Sequence, residues 1–281
     1  MRRLAVIPWI TPDAHPQAWT DVAALPVSTR LVADDAHVAL HCDERPGFWF
    51  GNCVILRAAP DPRDGPRLVA AWRAAFDARP AVERMIFQWE STGPPGPGTP
   101  DVPDLGTPAT VERSVVLRLD AVGAAPESAP PWPCRPVATD AEFDAVADAM
   151  VSALATGPAY AEFIRWKVRA LRDVVRASGD TWWAAWDGDV VAAALGLVGA
   201  PRVTGATHVV GLQEVVTRPT HRRQGGCAHL AHAALGAQFA RSPAGRVIAV
   251  ADPDGDAHRV YRRLGFEPVG SSWAVVAERP S

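Results

Sequence analysis

Three features of the sequence predict an α/β fold with mixed, mostly antiparallel sheets. Strand-period and helix-period segments alternate along the second half, and Asp187-Gly188 sits as a hairpin turn between two apolar runs. An apolar strand ending at Thr217 then leads through a glycine-rich loop into a helix. An antiparallel meander followed by a strand–helix–strand crossover makes a mixed sheet. With 281 residues, 48% of them apolar, the chain can bury one large core or two compact ones.

In the first half, residues 38–41 and 48–56 have strand composition. Residues 66–76 form a helix with Leu68, Trp72, Ala75 and Phe76 facing inward, and 85–89 and 114–119 are further strands. Residues 91–108, rich in proline and glycine, make a long loop. Residues 121–133, AVGAAPESAPPWP, lack any apolar period and predict a linker. Beyond it, Thr139-Asp140 caps a helix through Phe143, Val146, Ala147 and Met150. A second helix over 159–177 carries Phe163, Trp166, Val168 and Leu171. Residues 181–186 and 190–198 pair across the turn, and 208–217 form the third strand. The helix after the glycine loop places Cys227, Leu230, Ala231, Ala234 and Leu235 at helical spacing. A short strand (247–250), a short helix (256–264) and one or two closing strands (266–276) complete the chain. Strand, helix, strand, strand recurs in both halves, which hints at a duplicated fold.

Composition narrows the function classes. A net charge of -3 gives no electrostatic case for nucleic acid or an anionic membrane. No apolar run approaches a membrane span. The first ten residues have a basic tip, but Pro8 interrupts a short apolar stretch, so an ordered arm is expected rather than a signal peptide. Cys42, Cys53, Cys134 and Cys227 show no CxxC spacing and suggest reduced thiols in the cytoplasm. Lys167 is the only lysine and reads as compositional bias. His229 and His232 lie three apart, as metal ligands can, yet no further ligand completes a set; no metal is expected.

The sequence HRRQGGC (221–227) stands where the helix after Thr217 should begin. Unpaired N–H groups at a helix N-terminus and the macrodipole favour an anion there, and glycines let the backbone approach it. Arg222, Arg223 and Gln224 add donors, so a diphosphate is the natural guest. GxxxxGK[ST] is absent and the glycine spacing excludes GxGxxG. Alone, the segment is equally an arginine-rich surface turn. Arg222-Arg-Gln-Gly225-Gly-Cys227 fits Arg-x-x-Gly-x-Gly/Ala except for its last residue, and resembles the GNAT superfamily of N-acetyltransferases. Glu214-Val-Val-Thr-Arg-Pro-Thr-His221 is similar to that superfamily's strand and entry loop. Val260-Tyr-Arg-Arg-Leu-Gly-Phe266 is similar to its Tyr-x-x-x-Gly-Phe signature. Asp252-Pro-Asp-Gly-Asp-Ala257 lies where those enzymes carry an asparagine-containing turn.

The resemblance implies two GNAT-like domains, each a mixed, mostly antiparallel sheet flanked by helices: 1–120, a linker at 121–133, and 134–281. Phe48-Trp-Phe-Gly-Asn52 resembles the degenerate first domain of tandem members. There the strand–helix junction reads Pro60-Asp-Pro-Arg-Asp-Gly-Pro66, without the motif, so no CoA is expected on that half. In the second half, the resemblance puts acetyl-CoA on Val215, Val216, Thr217, Arg222, Arg223, Gln224, Gly225, Gly226, Cys227 and Ala228. The Val215 N–H lies near the thioester carbonyl, and Tyr261 is the candidate acid beside the sulfur. Glu214 is a candidate base, although strict alternation points it away from the Val215 face unless a bulge returns it; a salt-bridged carboxylate is an equal reading. His208, His221 or water are further candidates. Direct transfer leaves Cys227 as packing, and Trp182, Trp183 and Trp186 suit a strand core better than an acceptor pocket. The implied activity is acetyl-CoA-dependent N-acetylation of a small-molecule or peptide amine by direct attack, in a monomer or homodimer. The alternative is a non-catalytic acyl-CoA-binding sensor.

Overall fold

The computed structural model describes residues 7–93, 101–128, 130–199 and 208–280. The basic tip at 1–6, residues 94–100 of the expected loop and position 129 of the expected linker lie outside the described residues.

The strands are β1 (Arg30–Ala33), β2 (His37–His41), β3 (Val54–Leu56), β4 (Arg84–Thr92), β5 (Ala109–Leu119), β6 (Cys134–Pro136), β7 (Thr181–Asp187), β8 (Val190–Gly199), β9 (Val209–Thr217), β10 (Arg246–Ala251) and β11 (Glu267–Glu278). The helices are α1 (Pro16–Ala24), α2 (Gly65–Phe76), α3 (Asp140–Leu154), α4 (Pro158–Ser178), α5 (Gly226–Arg241) and α6 (Asp256–Arg263).

The sequence suggests one sheet per half; the structure has one 11-stranded sheet, ordered β1-β2-β3-β4-β11-β5-β10-β9-β8-β7-β6. The last strand of each half crosses into the other. β11 runs antiparallel to β4 from Gly270↔Thr92 to Glu278↔Arg84 and to β5 on its other side. β5 in turn pairs with β10 from Val247↔Leu119 to Ala251↔Val115. With β6 set aside, the order is the same from either edge once each of β1 to β5 is matched with β7 to β11. Each half also contains one parallel pair bridged by a helix, β3–α2–β4 and β9–α5–β10.

The exchanged strands are apolar on both faces, so neither could stay exposed. Val115, Leu117 and Leu119 join the cluster of Leu230, Val247 and Phe266 under α5 and α6. Val116 points the other way, into the cluster of Trp19 and Val22 from α1. Helices α1, α3 and α4 cover one face, and α2, α5 and α6 the other. The expected cap of α3 is present as a full capping box between Thr139 and Glu142. The short α1, absent from the sequence reading, is capped from a distance. The Glu90 carboxylate on β4 accepts the N–H groups of Gln17 and Ala18 at 2.9 and 2.8 Å.

The segment read as a strand over 48–56 is a strand only at its end. Residues Trp49–Gly51 form a 3-10 turn instead. The Asn52 amide donates to the carbonyls of Arg45, Pro46 and Phe48, which offers this backbone partners other than a ladder.

Candidate functional site

The site forms where β9 and β10 separate. Their parallel register runs only from Arg246↔Val209 to Ile248↔Gly211. Residues 212–217 therefore have no strand partner on the β10 side, and their backbone groups on that side are available to a strand-like ligand. The chain leaves β9 through a 3-10 turn at Pro219–His221 and reaches α5 through residues 222–225. Arg222, Arg223, Gln224 and Gly225 are exposed. Neither arginine forms an ion pair among the described residues; the Arg222 Nε folds back onto the Thr217 carbonyl at 3.3 Å. α5 has no side-chain cap and no acidic residue in its first turn. Uncapped amides, two guanidinium groups without an ion-pair partner and an open glycine are the chemistry that suits an anion.

The paired glycines have separate reasons. Gly225 has φ +81, and a β-carbon there would meet only the His229 ring, at 3.7 Å. Its backbone is the open one of the pair. Gly226 is closed: a β-carbon there would lie 2.3 Å from Cζ3 of Trp132. The expected linker is thus fastened to α5, by Trp132 on Gly226, Ser128 on His229 at 3.1 Å and the Gly123 carbonyl on His232 at 3.3 Å. The two histidines hold backbone and linker, and among the described residues no group of three or more His, Cys, Asp or Glu is placed to hold a metal. Gly226→Ala forces the Trp132 ring to move and is expected to cost roughly 1–3 kcal/mol, typical of overpacking, read as a lower denaturation midpoint.

Glu214 departs from alternation. Ala194 pairs with Val216 and Gly196 with Gln213, so Glu214 and Val215 together oppose Leu195 in a bulge. Glu214 takes φ +49, uncommon for a residue with a side chain. Val215 then packs toward the α5 and α6 cluster, while the Glu214 carboxylate meets Lys167 of α4, Oε1 to Nζ at 2.5 Å. Lys167, which composition alone set aside, therefore belongs to the site. The first half supplies a wall: the Phe48 ring lies 5.7 Å from Lys167 Nζ and 5.6 and 5.7 Å from the rings of Phe163 and Trp166. Arg45 reinforces this seam by pairing with Glu162 at 2.7 Å. Asp21 of α1 lies within electrostatic reach of Lys167 and Glu214, and burial pushes its carboxyl up to about 6.

Tyr261 is 4% exposed on α6, its ring 5.5 Å from Phe266. Burial holds the phenol protonated, well above its ordinary value, and the Cys227 thiol and Glu214 carboxylate act in the same direction. Burial likewise raises Cys227, which bonds the Thr217 side chain and stays a neutral thiol. The other base candidates are engaged elsewhere. His208 bonds Ser242 at 2.9 Å, and His221 bonds Asp187 at 3.2 Å under the Trp132 ring. Trp182 is fully buried against Phe143 and the Gly196 backbone, as a core residue.

The matching junction of the first half is filled. A β-carbon on Gly65, the first residue of α2, would lie 1.9 Å from the Asp104 carbonyl oxygen. Asp61 and Asp64 form a capping box just before it. That box caps the 3-10 turn, and α2 itself, like α5, has no side-chain cap; what closes this junction is the Asp104 backbone against Gly65.

Residues 147–266 match the family model of the acetyltransferase (GNAT) family. That segment is similar to the acetyltransferase domain of the GNAT family. The GNAT segment spans α3 to α6, and so includes the β9–α5 junction and Tyr261. A functionally unknown conserved protein from Staphylococcus epidermidis superposes with a TM-score of 0.65 at 10% identity, over 90% of this chain and 95% of that one. A GCN5-related N-acetyltransferase from Kribbella flavida gives 0.62 at 21% identity, over 97% and 96%. A tandem GNAT protein from the clavulanic acid biosynthesis pathway, solved without AcCoA, gives 0.61 at 16% identity, over 93% and 88%. At these identities the likeness shows a shared fold, and it extends through both halves. A search of curated protein sequences gives no match. No helix among the described residues is long and apolar enough to cross a membrane.

Proposed function

We propose that the chain is an acetyl-CoA-dependent N-acetyltransferase acting on the amine of a small molecule or peptide, with 134–281 as the acetyl-CoA-binding half. The carrying observation is the end of β9, open on its β10 side, leading through residues 218–225 into the uncapped start of α5. That arrangement suits a ligand with an amide-bearing arm and a diphosphate. Backbone groups of Val215, Val216 and Thr217 would grip the arm, and Arg222, Arg223, Gln224 and the amides of Gly225 to Ala228 the phosphates. The blocked Gly65 junction supports a first half without acetyl-CoA, in a tandem arrangement of 1–120 and 134–281 joined through 121–133.

In the transfer, the Val215 N–H would donate to the acyl oxygen as charge develops there. Glu214 would take the proton of the attacking amine, its carboxylate being held in place by Lys167. Tyr261 would donate to the departing sulfur. A thiol loses its proton at about pH 8.5 by the cysteine reference, so a phenol raised above its ordinary value hands its proton over uphill. Its contribution therefore falls at the low end of general-acid effects. Tyr261→Phe keeps the ring packing and removes the proton, so turnover is expected to fall on the order of 10²-fold, with acetyl-CoA affinity unchanged. Thiol release from acetyl-CoA across a broad amine panel tests the activity. Equal turnover of the Phe variant across the pH range removes Tyr261 from the mechanism. Tight binding without turnover on any amine would favour the sensor.

A further inference from the structure

The only lysine of the chain stands in this site. Of its 28 lysines and arginines a single one is lysine, at position 167. Among the described residues the other ion pairs between a non-histidine side chain and a carboxylate use arginine. The two cations differ in one chemical respect that matters here. A guanidinium keeps its proton in proteins and is no nucleophile, whereas an ammonium can lose a proton and become an amine.

The surroundings of Lys167 supply a proton acceptor for that step. Its Nζ is 2.5 Å from Glu214 Oε1, within reach for direct proton transfer. Glu214 immediately precedes Val215 at the bulge, where β9 has lost its partner on the β10 side. The Lys167 and Glu214 side chains are only 25% and 19% exposed, and the Phe48 ring lies 5.7 Å from Nζ. The charge of Glu214 also reaches the Tyr261 phenol. Glu214 thus interacts with both an amine and a phenol beside a strand that is open on its β10 side.

We propose that Lys167 is an acetyl acceptor in cis, acetylated by acetyl-CoA bound to its own chain; this rests on the acetyl-CoA reading of the β9–α5 junction. The Lys167 ammonium gives a proton to Glu214, and the free amine attacks the thioester carbonyl. The N–C bond forms as the C–S bond breaks, the nitrogen loses its second proton to solvent, and the departing sulfur takes a proton from Tyr261. Glu214 passes its proton back to Tyr261 by way of solvent. The products are N-acetylated Lys167 and free CoA, with one proton released overall. Loss of the lysine charge then leaves Glu214 without its counter-ion, so the modification alters the base of the same site.

The test uses the full-length protein and acetyl-CoA with no added amine. Cleavage after arginine isolates the fragment 166–169, and mass spectrometry reads the addition of one acetyl group on Lys167. Calorimetry on the same preparation measures acetyl-CoA binding independently. The modified fraction is expected to rise at a rate independent of protein concentration, to be absent in Lys167→Arg, and to slow at least tenfold in Tyr261→Phe. Binding of acetyl-CoA with no acetyl group on Lys167 overturns the proposal and leaves the acetyl-CoA reading intact. Absence of binding defeats that reading and the proposal together. A rate that scales with protein concentration overturns transfer in cis. Equal labelling in urea-unfolded chain or in Tyr261→Phe assigns the modification to ordinary chemical acylation and also overturns it.

Discussion

A chain beginning at residue 130 is expected to lose cooperative folding altogether, although its fragment contains the whole GNAT segment. β11 would lose β4 on one side and β5 on the other, and β10 would lose β5. Three long rows of backbone hydrogen-bonding groups would be left open, and open strand edges pair with other molecules. The same cut removes Val115, Leu117 and Leu119 from the core that holds Leu230, Val247 and Phe266. Burial of each such side chain contributes roughly 1.5–3 kcal/mol, and net stability of a native protein is only about 5–15 kcal/mol. The fragment should therefore elute as aggregate and melt without a transition. A monomeric fragment with a sharp melt would show that the exchanged strands are dispensable.

Arg222→Ala combined with Gly225→Val should weaken acetyl-CoA binding by a factor on the order of 10² to 10³. On the proposed reading Arg222 would contribute a charge-assisted contact, each worth about 1.5–3 kcal/mol. Valine at φ +81 cannot keep the left-handed backbone without strain of about 1–3 kcal/mol. Relief of that strain turns the amide of residue 225 away from the anion. Both positions are exposed and outside the core, so the fold should survive with a modestly lower melting temperature. Unchanged affinity in a folded double variant would place the diphosphate elsewhere.

Much of this fold can be read from local signals. Thr139 and Glu142 make a cap within four residues, and the loop at 222–225 announces a helix start through its glycine and cations. The exchange of β5 and β11 cannot be read this way, because pairings such as Trp273↔Arg113 join residues far apart in the chain. Aromatic and apolar content at 48–56 suggested one strand, and the Asn52 hydrogen bonds that turn its first part are visible only in three dimensions. The role of Gly226 depends on Trp132, which the sequence placed in a linker. Lys167 was hidden for a similar reason: its partner Glu214 lies 47 residues away and is turned toward it by a bulge that no residue type announces.

The central claim is that one anion-binding junction per chain, at the start of α5, takes acetyl-CoA while the matching junction at α2 is closed by Asp104. Calorimetric titration of the full-length protein with acetyl-CoA measures this directly. The predicted result is saturable binding at one acetyl-CoA per chain. Two acetyl-CoA per chain would contradict the closed first junction, and a well-folded protein that gives no binding at all would contradict the open second one.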